Sequence, residues 1–155
     1  GGEPLMQHEF LSELLTKTRP LHRAIETSGY APQRIFREIA GLCDLVIMDL
    51  KLADREQHKK YTGVYNDVIL KNLQYLQQSG REHIIPLIPK ITDTKQNLLA
   101  AAELAGDSQV ELLRYNRAAG AKYETVGEKY TLDGLSAQGE QALPDISIFR
   151  KAKIL

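Results

Sequence analysis

Apolar residues recur along this chain in two rhythms that take turns. Phe10, Leu11, Leu14 and Leu15 fall three and four positions apart, as one helical face requires, and Thr18 to Pro20 break the pattern. His22 to Thr27 then reads as a short strand with Ala24 and Ile25 inside it, stopped by Ser28-Gly29. Pro32 suits a first helical turn, where no N–H is needed, and Ile35, Phe36, Ile39 and Leu42 predict an apolar stripe behind it. The unit is strand, loop, helix.

Leu45-Val46-Ile47-Met48 is continuously apolar, the pattern of a parallel strand covered by helices on its faces, and it runs into Asp49-Leu50-Lys51. Asp54 with Gln57 resembles the capping box of a short helix through Lys60 that Gly63 ends. Asn66 predicts the cap of a longer helix with Ile69, Leu73 and Leu76 facing the core and Gly80 as its stop. A third strand spans about Glu82 to Ile88, where Pro86 points to an edge or irregular position and Pro89 closes the strand. Thr94 starts a helix carrying Leu98, Leu99, Ala102 and Leu104, and Gly106-Asp107 turn the chain into a fourth strand, Val110 to Tyr115. Beyond Asn116 the pattern weakens to a turn or short helix around Lys122 to Val126, a polar stretch from Gly134 to Gln141, and an apolar patch of Ile146, Ile148 and Phe149. Strands alternating with helices predict an α/β fold with a parallel sheet of about four strands and flanking helices.

Composition narrows the function. At 155 residues and 43% hydrophobic, the chain has enough apolar matter for one domain. Lys plus Arg equals Asp plus Glu at 20 each, so no net field draws the chain to nucleic acid or an anionic membrane, and neither is expected as a partner. One cysteine excludes an internal disulfide and any cysteine-only metal or cluster site made by this chain, and fits a reducing, cytoplasmic setting. The opening Gly1-Gly2-Glu3-Pro4 has neither the basic n-region nor the apolar run of a signal peptide, and reads as a start in mid-sequence. His8, His22, His58 and His83 share no metal-ligand spacing. No P-loop, nucleophile elbow or dinucleotide fingerprint is present.

Polar residues collect where the predicted strands end: Glu26 and Thr27, Asp49 and Lys51, Asp93, then Tyr115 and Asn116. Parallel sheets and barrels gather function at that rim. The placement predicts a ligand site without naming the ligand.

Gly1-Gly2-Glu3-Pro4, Glu26-Thr27-Ser28-Gly29, Asp49-Leu50-Lys51, the run from Asp54 through His58 and Thr62 to Gly63, and Leu87-Ile88-Pro89 occur in that order over nearly the whole chain. Together they resemble the glycyl-radical-enzyme activating enzymes of the radical S-adenosylmethionine (SAM) superfamily, of which pyruvate formate-lyase activating enzyme is the type. The resemblance implies an incomplete, TIM barrel-like (β/α) barrel, with residues 1–155 forming its third to sixth βα units and a C-terminal tail. It implies an oxidoreductase of anaerobic metabolism. There, a [4Fe–4S] iron–sulfur cluster on three cysteines reduces SAM to a 5′-deoxyadenosyl radical, which takes hydrogen from a glycine of a partner such as a formate C-acetyltransferase. Electrons would come from a flavodoxin or ferredoxin. The cluster-binding cysteine motif is absent here, so this stretch alone is expected to be inactive, with no catalytic residue and no cluster of its own.

Carried over position by position, the resemblance implies that Gly1, Gly2 and Glu3 contact the amino group of SAM. Thr27 and Asp49 line its carboxylate end, where some relatives hold a small cation, here near Thr27, Met48 and Asp49. Glu26 stands where others have Asp, Lys51 offsets the SAM carboxylate, and Asn116 bonds the adenosyl or ribose group. Ile84 replaces a common Arg, Lys90 a common Gly and Asn116 a common His, which leaves the identity of the radical-bearing partner open. Cys43 is expected to be a buried small hydrophobe on the opposite rim. Two other readings are a radical SAM enzyme acting on a small molecule and a stand-alone nucleotide- or protein-binding module. A barrel short of two strands leaves an open edge, so self-association is expected.

Overall fold

The computed structural model describes residues 2–78, 83–87, 91–114, 123, 127 and 145–154, with backbone alone for 83–87 and 114. A 3-10 turn, Pro4–Gln7, leads into α1 (His8–Lys17). Then follow β1 (Ala24–Thr27), α2 (Gln33–Leu42), β2 (Leu45–Asp49), α3 (Arg55–Thr62), α4 (Asp67–Gln77), β3 (His83–Leu87), α5 (Lys95–Ala105), β4 (Val110–Arg114), a 3-10 turn at Ile146–Ile148, and β5 (Ala152–Ile154). All strand pairs are parallel and the order is β1-β2-β3-β4-β5. The expected parallel sheet is present.

Sequential order has a consequence for layering. Right-handed crossovers that always step in the same direction lay their helices on one face of the sheet. Burial follows that rule: Ile25, Thr27, Val46 and Met48 are buried, while Ala24 and Glu26 are exposed and Leu45, Ile47 and Asp49 only half-buried. The continuous apolar run of β2 is therefore covered fully on one face, not on both. On that face Ile25, Val46, Met48, Val110 and Leu112 join Leu11, Leu15, Phe36, Ile39, Leu73, Leu76 and Leu98 in a single core.

Other expectations are corrected or sharpened. A fifth strand, β5, pairs beyond β4; three residues are too short a run to show an alternation in sequence. The patch of Ile146, Ile148 and Phe149 forms the 3-10 turn just before it, with Phe149 buried in the core. β3 is interior, between β2 and β4, despite Pro86; the irregularity falls in the β2 ladder, which ends at Asp49↔Ile84, before the proline is reached. Asn66 occupies the cap position of α4, but its side chain makes no cap hydrogen bond and turns elsewhere. Gly80 lies outside the described residues, as do the stretches at 122–126, Tyr123 apart, and 134–141.

Local signals elsewhere are realised. Asp54 accepts the Gln57 N–H at 2.8 Å to start α3, and Gly63 ends it at φ 85°, a left-handed conformation that side chains with a Cβ resist. Thr94 accepts the Asn97 N–H at 3.3 Å to start α5. Cys43 is buried between α2 and the start of β2, away from the strand's carboxyl end, and is in no disulfide. No helix among the described residues is long and apolar enough to cross a membrane.

Candidate functional site

The carboxyl ends of β1 and β2 lie side by side, with Thr27 opposite Met48 and Asp49 one residue further on. Glu3 reaches this place from the beginning of the chain. Its Oε1 accepts the Thr27 hydroxyl at 2.5 Å and the Leu5 N–H at 3.2 Å. Its Oε2 accepts the Ser28 N–H at 2.9 Å and the Ser28 hydroxyl at 2.6 Å. The four acceptor positions of a carboxylate are thus occupied. Burial pushes the Glu3 carboxyl up, but the bonds from Ser28, Thr27 and Leu5 outweigh it and hold the group below its ordinary value. Thr27 Oγ1 also accepts the Gly29 N–H at 3.1 Å, and Gly29 turns the chain at φ 71°.

At the end of β2, Lys51 Nζ donates to Asp49 Oδ2 at 2.8 Å, both side chains part-exposed. Parallel partners share a face and neighbours alternate, so Glu26, Ile47 and Asp49 stand on the open face while Thr27 and Met48 stand on the covered one. Two groups meet at this rim: Glu3 with Thr27 and Ser28, tying the chain start to the loop after β1, and Asp49 with Lys51 beside the open face that carries Glu26. Gly2 is exposed, and nothing lies within 4 Å of where a Cβ would stand. Gly1 and Asn116 lie outside the described residues, as does Tyr115.

His58 is buried, with Nδ1 2.8 Å from the Val64 carbonyl and 3.0 Å from Thr62 Oγ1, so it braces the turn after α3. Among the described residues no three His, Cys, Asp or Glu side chains group as metal ligands.

The sequence reading missed the buried Asn72 and Asn97, and it read Asn66 only as a helix cap. Asn72 Nδ2 donates to the carbonyls of Gly29 and Ala31, both at 2.9 Å, and so holds the loop after β1. Asn66 Nδ2 donates to the carbonyls of Leu52 at 3.1 Å and Ala53 at 2.9 Å. Asn97 bonds Lys51, Ala53 and Thr92 backbone groups. The available signal was an amide beside a core-facing position: Asn72 next to Leu73, Asn97 next to Leu98.

A solved structure of a domain of pyruvate-formate lyase-activating enzyme from Bacteroides vulgatus superposes with a TM-score of 0.69 over 100% of this chain and 95% of that one, at 23% identity. That likeness establishes the fold. The 4-hydroxyphenylacetate decarboxylase activating enzyme of Clostridium scatologenes is 39% identical over 139 residues, 84% of this chain and 45% of the relative. The (2S)-3-sulfopropanediol dehydratase activating enzyme of Klebsiella oxytoca is 38% identical over 142 residues, 85% and 45% of the two chains. The chain is homologous to the glycyl-radical-enzyme activating enzymes. It spans about half the length of these curated activating enzymes. No family model matches it.

Proposed function

We propose that this chain forms the SAM-binding side of a radical SAM activase, within a partial (β/α) barrel, and that the whole enzyme installs a glycyl radical on a partner enzyme. The observation that carries the reading is the paired Asp49 and Lys51 at the end of β2, next to a loop after β1 that Glu3 ties to the chain start. Lys51 offers a part-exposed ammonium to the SAM carboxylate, and Glu26 and Asp49 provide acceptors on the open face. Because the protein's own donors occupy the Glu3 carboxylate, the SAM ammonium is met by backbone carbonyls of the Gly1-Gly2 loop, and Glu3 acts by holding that loop. Asn116 contacts the adenosyl or ribose group in the same reading.

A small cation near Thr27, Met48 and Asp49 would draw on carbonyl oxygens and Asp49 Oδ1, since Thr27 Oγ1 is engaged by Glu3 and Gly29 and Asp49 Oδ2 by Lys51. A [4Fe–4S] cluster does not fit residues 1–155, whose one cysteine is buried at the start of β2. Its thiolates fall to residues other than these, and a flavodoxin or ferredoxin supplies the electron in this reading.

The test is reconstitution of the whole activase with iron and sulfide, followed by SAM and a reductant. Release of 5′-deoxyadenosine is expected, together with a glycine-centred radical signal on the partner. A reconstituted enzyme that releases no 5′-deoxyadenosine would sink the reading.

A further inference from the structure

The segment between β2 and α3 has left the sheet ladder at Asp49, yet Leu50 and Leu52 are buried. Buried peptide groups outside a ladder need partners from elsewhere. Two side chains from separate helices supply them. Asn97 Nδ2 donates to the Lys51 carbonyl at 3.1 Å, and Asn97 Oδ1 accepts the Ala53 N–H at 2.9 Å. Asn66 Nδ2 donates to the carbonyls of Leu52 and Ala53. Neither amide is spent on its own helix: α5 is capped by Thr94, and Asn66 stands at the cap of α4 without capping it. Asn97 also donates to the Thr92 carbonyl at 2.9 Å, so the loops after β2 and β3 are joined through one side chain.

Lysine is a flexible cation whose charge can occupy a wide volume. Here Lys51 is fixed at both ends, its carbonyl by Asn97 and its ammonium by Asp49. An amide suits the first task because it donates and accepts at once; a carboxylate would donate to neither carbonyl and an aliphatic side chain would satisfy nothing.

We propose that Asn97 and Asn66 are positioning residues for Lys51, holding the 51–53 backbone so that the ammonium stands at the end of β2 to meet the carboxylate of the bound amino-acid nucleoside. This rests on the SAM reading of the rim. It extends that reading to residues that touch no ligand.

Titration calorimetry of the whole activase, reconstituted with iron and sulfide, with SAM and with 5′-methylthioadenosine, which lacks the amino-acid arm, separates positioning from general support. Asn97→Ala is expected to weaken SAM about tenfold, the scale of one charge-assisted hydrogen bond, while 5′-methylthioadenosine changes by less than about twofold. In a Lys51→Ala background the same substitution should cost SAM nothing more, because coupled residues are not additive. Asn97→Asp, which keeps the acceptor for Ala53 and loses both donations, should show the same selectivity and serves if the alanine variant unfolds. Equal weakening of both ligands, or full additivity with Lys51→Ala, overturns the positioning role while the SAM reading stands. An unsubstituted, reconstituted activase that binds no SAM removes both.

Discussion

Glu3 accepts both the N–H and the hydroxyl of Ser28, at 2.9 and 2.6 Å, although 25 residues separate them in the chain. These bonds favour the ionised carboxylate in the folded protein, and its pKa lies below the ordinary value despite burial. A group with a depressed folded pKa contributes stability above its unfolded pKa and loses it as pH falls through the folded one. Melting temperature should therefore drop as pH falls below about 4.3, the ordinary glutamate value, and the drop should be shallower in Glu3→Gln. Thermal unfolding of both proteins across that range is the check. Parallel curves would assign the acid sensitivity to other carboxylates.

Asn72 is fully buried and holds the loop after β1 through two carbonyls. Replacing it with alanine leaves the Gly29 and Ala31 carbonyls without that donor and opens space in the core. The cost expected is about 2–4 kcal/mol. Chemical denaturation should show the midpoint shifted at an unchanged slope; a loss under about 0.5 kcal/mol would mean that the loop finds other donors.

Gly29 takes φ 71°, and a Cβ there would stand 2.7 Å from Met48 Cε. Two penalties are involved and they separate. The contact is with the end of a flexible side chain, which can turn aside; the backbone conformation cannot be relieved that way. Gly29→Ala should cost about 1–2 kcal/mol, the penalty of a left-handed conformation for a residue with a Cβ. The added substitution Met48→Leu, which shortens the reach toward Gly29, should recover little of it. Full recovery in the double variant would show that the contact, not the dihedral, sets the cost.

What could be read in advance follows from the range of each signal. Strand and helix rhythms act over a few residues, so β1 to β4, the Asp54 and Thr94 caps and the Gly63 stop were visible in the chain. The Asp49-Leu50-Lys51 motif likewise lies within three consecutive residues, and its pairing is local. Contacts between distant segments were not legible: Glu3 with Ser28, Asn72 with Gly29, Asn97 with Lys51. Nothing in a polar residue's immediate neighbours says which remote carbonyl it will reach. Asn66 shows the difference, since its cap position was correctly read and its side chain serves a loop 13 and 14 residues earlier. The layering of β2 was misread for a related reason. Apolar content shows what a strand tolerates on each face, whereas strand order decides which face the helices cover.

Asp49 and Lys51 offer a substitution that separates binding from folding. Their ion pair is part-exposed, with side-chain exposures of 21% and 36%, and solvent screens such pairs to about 0–1 kcal/mol. Asp49→Asn keeps the shape, removes the charge that holds the Lys51 ammonium, and should leave the unfolding midpoint nearly unchanged. If the pair orients a cation toward the SAM carboxylate, the same variant should weaken SAM about tenfold, because an untethered lysine must be ordered when the ligand arrives. Calorimetric titration beside a denaturation curve decides it. Unchanged SAM affinity would place the pair outside the binding site, and a large stability loss with proportionate loss of binding would make it a structural clasp on the end of β2.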